Sequence, residues 1–155
     1  METFRQSSSI VVNRSPDEVY DLVSDIPRMG DWSPICKACW WDEGDGPALG
    51  AKFTGRNELP GRTWETRSEV VVADRGQGFA WSVIEPPTRA RWGFTFAPIA
   101  GGTELTETWE LPPEGAEFFV QRFGDDATKE IGIRNDLAKS GITETLSAIK
   151  KAAEA

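Results

Sequence analysis

Between Trp64 and Trp109, aromatic side chains fall on alternate positions of consecutive runs, and this pattern restricts the chain more than any other feature. Phe79, Trp81 and Val83 share one parity, then Trp92, Phe94 and Phe96, then Leu105 and Trp109. Alternate residues of an extended strand project to one side, so each run aims its rings at a common face. A sheet built this way has a large apolar face to cover, and little else in the chain is apolar enough to cover it. A curved sheet poorly filled by its own side chains is a candidate container for a small apolar molecule. The same rings also suit a close-packed core, and both readings stand at this point.

Turn signals divide the region cleanly. Gly44-Asp45-Gly46-Pro47, Pro60-Gly61, Arg75-Gly76-Gln77-Gly78, Pro86-Pro87 and Gly101-Gly102 separate strand-like runs at 36–43, 51–59, 62–74, 79–85, 89–97 and 103–111. Short turns between consecutive strands predict an antiparallel meander. A further strand is expected at 4–13. After it, Ser15 as N-cap, Pro16 at the first helical position and Glu18 three residues after the cap predict a helix, and Val19, Leu22, Val23 and Ile26 form its apolar stripe. Pro27 and Gly30 then bound a second, shorter helical turn. Pro112-Pro113-Glu114-Gly115 ends the meander, and from Glu117 onward the spacing of Leu137, Gly141, Leu146 and Ile149 predicts one long closing helix. The absence of repeats and linkers makes a single domain over 1–155 the expectation.

Charge and composition exclude several classes. The net charge of -8, from 17 Lys and Arg against 25 Asp and Glu, opposes nucleic acid or an anionic membrane surface as partner. No apolar run is long enough for a signal peptide or a spanning helix, so no stable membrane insertion is expected and a cytoplasmic location is the default. With no His, the usual hydrolytic triads, Cys-His pairs and His-ligated metals are unavailable, and the single Tyr, Tyr20, lies in the first helix. Neither a metal nor a bound redox cofactor is expected. Cys36 and Cys39 form a C-x-x-C pair, but without further ligands and on a strand they are expected on opposite faces, as two small half-buried residues.

The order of elements, strand, two short helices, six-strand meander and long helix, resembles the START-related helix-grip superfamily, also called SRPBCC. The wording of particular segments is similar to its polyketide cyclase/dehydrase branch. They are Ser15-Pro16-Asp17-Glu18-Val19-Tyr20-Asp21-Leu22-Val23-Ser24-Asp25, Trp32-Ser33-Pro34, the run from Gly50 to Asn57, and the run from Gly101 to Trp109. The resemblance covers nearly the whole chain, apart from about 112–124. It implies an α+β fold in which a curved antiparallel sheet of about seven strands wraps around the closing helix and leaves an apolar cavity between them. Such a superfamily holds carriers, receptors and enzymes, so fold alone does not settle function.

On that frame the inward wall consists of Phe53, Trp64, Phe79, Trp81, Trp92, Phe94, Phe96 and Trp109, with Gly141 facing them from the helix. Asn57, Thr66, Ser68 and Glu107 are its polar points, and Asn57 and Glu107 are the candidates for ligand contact. A carboxylate among rings is desolvated and poised for proton transfer, which makes Glu107 the candidate catalytic group. Arg56 is either an anchor at the cavity mouth or a solvated strand residue; Arg89 and Arg91 read as solvated. The expected function is binding or transport of a small hydrophobic or amphipathic ligand, such as a lipid, polyketide-like or isoprenoid molecule. The alternative is a cyclase, aromatase or dehydratase type of enzyme using Glu107. A third possibility is interaction through Phe118, Phe119, Val120 and Phe123, as a lid, a homodimer contact through Phe118, Phe119 and Phe123, or the buried start of the closing helix.

Overall fold

The computed structural model describes residues 4–155. Seven strands form one antiparallel sheet in the order β1-β7-β6-β5-β4-β3-β2. They are β1 (Phe4–Val12), β2 (Cys36–Glu43), β3 (Lys52–Leu59), β4 (Arg62–Asp74), β5 (Gly78–Glu85), β6 (Arg91–Ile99) and β7 (Gly102–Leu111). Helix α1 (Pro16–Val23) and a 3-10 segment (Ile26–Asp31) connect β1 to β2. Helices α2 (Pro113–Phe123) and α3 (Ala127–Glu154) follow the sheet.

Local chemistry explains the punctuation. The Ser15 side chain accepts a hydrogen bond from the Glu18 amide at 3.2 Å, and the Glu18 carboxylate returns to the Ser15 amide, closing a capping box on α1. Val19, Tyr20 and Val23 are its buried face. The run at 89–97 is displaced, because Arg89 sits outside the strand at φ 57 and β6 begins at Arg91. The closing helix is also shorter than expected. Gly124, at φ 56 and ψ -123, leaves helical geometry in a region open mainly to glycine, so the segment from Pro113 to Phe123 becomes a separate helix, α2.

Bulges bend the sheet. Val70 faces Trp81 and Val72 faces Ala80, leaving Val71 as an extra residue on β4. On β2, Cys36 faces Asn57 and Ala38 faces Arg56, leaving Lys37 as the extra residue. Each insertion kinks its strand and increases twist. The second also overturns an expectation: one extra residue shifts parity, so Cys36 and Cys39 lie on the same side rather than on opposite faces, and both are buried.

Helices α1 and α3 lie on the concave side. Ile131, Ala138, Ile142, Leu146 and Ile149 of α3 are buried against a core that includes Phe79, Phe94, Phe96, Leu105 and Trp109. Two hydrogen bonds tie α3 to the β1 edge, Gln6 Nε2 to Asn135 Oδ1 at 3.0 Å and Lys150 Nζ to the Val11 carbonyl at 2.7 Å. The 3-10 segment packs on β2 at the opposite edge. Each edge of the sheet thus carries one helical element, α3 at β1 and the 3-10 segment at β2.

Candidate functional site

Strand register assembles the concave face row by row. Across β1, β7, β6 and β5, Ser8 faces Glu107, Glu107 faces Phe94, and Phe94 faces Phe79. The neighbouring row holds Gln6, Trp109, Trp92 and Trp81. Directly opposed side chains of this kind sit about 4.5–5.5 Å apart at Cβ, so Glu107 has Phe94 across the ladder on one side and Ser8 on the other, with Leu105 and Trp109 two residues away along its own strand.

Glu107 is 4% exposed, and its Oε1 is the one buried side-chain polar atom without a hydrogen-bond partner among the described residues. Burial alone pushes its carboxyl well above the usual carboxylate range, with no charged neighbour contributing. A carboxyl shifted this way holds its proton to higher pH than an exposed carboxylate does, and its protonated form can both donate and accept a hydrogen bond. Arranged this way, it can hold a ligand hydroxyl or carbonyl, or exchange a proton with one.

The remaining polar points lie elsewhere. Asn57, 9% exposed, donates through Nδ2 to Thr66 Oγ1 at 3.2 Å across β3 and β4. Between that pair and Glu107 the sheet order interposes β6 and β5, so Asn57 and Glu107 are not neighbours on the sheet surface. Ser68 is buried beside Phe53 and Val83 by register. Arg56 is exposed, 3.8 Å from Glu58, and Arg91 is exposed too, so neither guanidinium faces the interior.

The predicted wall residues of the strands keep their common parity but differ in burial. Phe53, Phe79, Trp81, Phe94, Phe96, Trp109 and Gly141 are buried, whereas Trp64 and Trp92 are half-buried, Trp64 lying under the Arg62 guanidinium at 4.5 Å. The rings touch one another. Trp41 meets Phe53, Phe53 meets Trp81, Trp81 meets Phe79 and Phe94, and Tyr20 meets Phe79 and Phe96, with centroids 5.5 to 6.1 Å apart. These contacts fill part of the concave face with the protein's own rings. Two hollows lie outside the sheet-helix interface. One, about 260 Å³, is on the convex face over Ala80, Gly93 and Thr108; the other, about 180 Å³, is beside Arg14 and Ala153.

The α2 phenylalanines also divide. Phe119 is 3% exposed and stacks on Phe123 at 5.7 Å, and the Arg134 guanidinium of α3 lies over both rings. Phe119 is thus used within its own chain and closed to a homodimer partner; Phe118 and Phe123 are half-buried. Only Val120 of this group, 59% exposed, points outward.

Sequence reasoning missed Ser8 and the paired cysteines. Ser8 lies opposite Glu107 on the inward parity of β1 yet is exposed, between the two ties that hold α3 to this edge. A serine in a polar run, Ser7-Ser8-Ser9, carries no signal of that position. Gly55 was a usable signal for the cysteines, since a lone glycine inside a strand marks a bulge or a close approach.

A family model described as "Polyketide cyclase / dehydrase and lipid transport" matches residues 3–154. The chain belongs to that family. The Polyketide_cyc-like protein of Corynebacterium glutamicum, known from a solution NMR structure, is 48% identical, with a TM-score of 0.70 over 99% of this chain and 93% of that one. A START superfamily protein from Mycobacterium smegmatis is 15% identical, with a TM-score of 0.68 over 97% of each chain. The di-domain ARO/CYC StfQ of the steffimycin biosynthetic pathway is 16% identical, with a TM-score of 0.74 over 98% of this chain and 51% of that one. No curated protein sequence matches the chain. The fold of this family member is thus the helix-grip, α+β fold, with seven antiparallel strands and a long C-terminal helix. None of its described helices is long and apolar enough to cross a membrane.

Proposed function

We propose that the protein binds one small hydrophobic or amphipathic molecule, of the lipid, polyketide-like or isoprenoid class, between the concave face of the sheet and α3. The observation that carries this reading is the buried, unpartnered Oε1 of Glu107. Buried polar groups are nearly always paired, and an unpaired one is a standing cost that a ligand hydroxyl or carbonyl removes. The surrounding Phe94, Trp109 and Phe79 supply apolar contact for the rest of the molecule. Access follows the β1 edge at Ser8, where the inward face is open between the two α3 ties. Entry of the ligand separates rings that otherwise touch one another. The family description, which includes lipid transport, agrees with this ligand class.

The raised proton affinity of Glu107 supports a second reading, a cyclase, aromatase or dehydratase step in which Glu107 transfers a proton. Binding is the better supported of the two, because among the described residues no second ionisable group acts on Glu107 to serve as the other end of a proton relay.

Fatty acids, isoprenoid alcohols and polyphenols titrated against Trp emission test the proposal. Saturation at one ligand per chain is expected, with quenching from Trp81 and Trp109. Glu107→Leu should weaken hydroxyl-bearing ligands by roughly 2–10-fold, the worth of one net hydrogen bond, and leave pure hydrocarbons unchanged. No saturable binding across the panel refutes the reading. If instead Glu107→Gln keeps affinity while a turnover found for the wild type falls by about 100-fold or more, the enzymatic reading replaces it.

A further inference from the structure

Two thiols and a thioether meet at the β2 edge. The Cys36 and Cys39 sulfurs are 3.0 Å apart, and Cys39 Sγ lies 3.7 Å from Met29 Sδ of the 3-10 segment. This proximity is built by three separate features. The Lys37 bulge turns both side chains to one side of β2. Gly55, facing Cys39 across the ladder, leaves the space the sulfurs occupy, since a Cβ there would stand 3.2 Å from Cys36 Sγ and 3.3 Å from Cys39 Sγ. Gly30 allows the 3-10 segment to lie directly on the Lys37 carbonyl, where a Cβ would collide with backbone. The result is a preformed dithiol, each cysteine 7% exposed, beneath a short cover.

We propose that Cys36 and Cys39 form a reversible dithiol–disulfide site, oxidised by small hydroperoxides and restored by thiol reductants. The Cys36 thiolate attacks the terminal peroxide oxygen, the O–O bond breaks, and the remaining oxygen leaves after protonation as water from hydrogen peroxide or as the alcohol from an organic hydroperoxide, giving a sulfenic acid on Cys36. Cys39 then attacks that sulfur, losing its proton, and the hydroxyl departs as water. Two thiols are oxidised to one disulfide while one hydroperoxide is reduced. The sulfurs need to close by only about 1 Å to reach a disulfide bond length of about 2 Å. Cys36 is the attacking member because the Cys39 thiol, hydrogen-bonded to it, holds its proton affinity down against the opposing effect of burial, whereas Cys39 is pushed up. This inference rests on the sulfur geometry and is independent of the ligand-binding reading.

Hydrogen peroxide applied to the folded chain, followed by intact-mass and free-thiol measurement, tests it. The expected product has lost the mass of two hydrogen atoms, retains no free thiol, and recovers both with dithiothreitol. Cys39→Ser, which cannot resolve the intermediate, should accumulate a dimedone-reactive sulfenic acid on Cys36 that the wild type does not. Gly55→Ala, by wedging a methyl group against both sulfurs, should slow disulfide formation by about 10-fold or more. A folded wild type that keeps both thiols while the urea-unfolded chain oxidises overturns the proposal. So does dimedone labelling of the wild type to the same extent as Cys39→Ser, since the two sulfurs would then act independently.

Discussion

Replacing Glu107 by glutamine keeps the size of the side chain and removes its ability to ionise, so it isolates the energetic consequence of burying this carboxyl. Burial raises the Glu107 proton affinity in the folded chain above its usual value of 4.5. In the window between that value and the raised native one, the folded state binds more protons than the unfolded state. Stability therefore falls as pH rises through this window, is fullest below it, and is flat above it. Each pH unit of rise inside the window costs the wild type about 1.4 kcal/mol that the glutamine variant does not lose. For a chain of 155 residues, each kcal/mol moves Tm by about 2–4 °C, so the two proteins should separate by about 3–6 °C per pH unit within it. Thermal unfolding of both proteins at a series of pH values from about 5 to about 8 measures the difference, and subtraction removes the titration of every other carboxylate. The two Tm curves should converge toward acid and diverge toward alkali. Parallel curves, or a Gln variant that is less stable near pH 8, would show that Glu107 is paired in solution and that the argument from its orphaned oxygen is wrong.

Two further perturbations test the frame that holds the site. Leu146→Ala, at a fully buried position of α3, should lower stability by about 2–5 kcal/mol in urea unfolding, and a loss below 1 kcal/mol would mean that α3 does not seal the concave face. Gly115→Ala and Gly132→Ala should act with opposite sign. The first puts a Cβ into the Thr88 carbonyl and should cost about 1–3 kcal/mol. The second meets nothing within 4 Å on α3 and should add about 0.4–1 kcal/mol.

Local and periodic features were readable directly from the sequence. The α1 capping box depends on residues three apart, and the hairpin turns on Gly and Pro in adjacent positions; both act through backbone geometry that neighbouring residues define. Strand parity carried the same certainty, because alternation is a property of any extended chain. It placed Phe79, Trp81, Phe94, Trp109 and Glu107 on one face, where register and burial now find them. The break at Gly124 was equally local, since Gly-Asp-Asp is a helix stop followed by a helix start, but the apolar spacing beyond it masked the interruption.

What the tertiary structure alone decided depends on residues far apart in the chain. Parity could not foresee the Lys37 bulge, whose position is set by pairing with β3 and by the 3-10 segment pressed onto it, and that one residue turned two separated cysteines into a contact. Alternation likewise could not tell a wall from a filled core. The same rings serve either, and only the tertiary contacts of Tyr20, Phe53 and Trp81 show rings packed on rings. Glu107 shows the division within a single residue. Its inward direction is a consequence of β7 being extended, whereas its lack of any partner follows from which side chains β1, β6 and the helices bring to it, a matter of packing that no local pattern encodes.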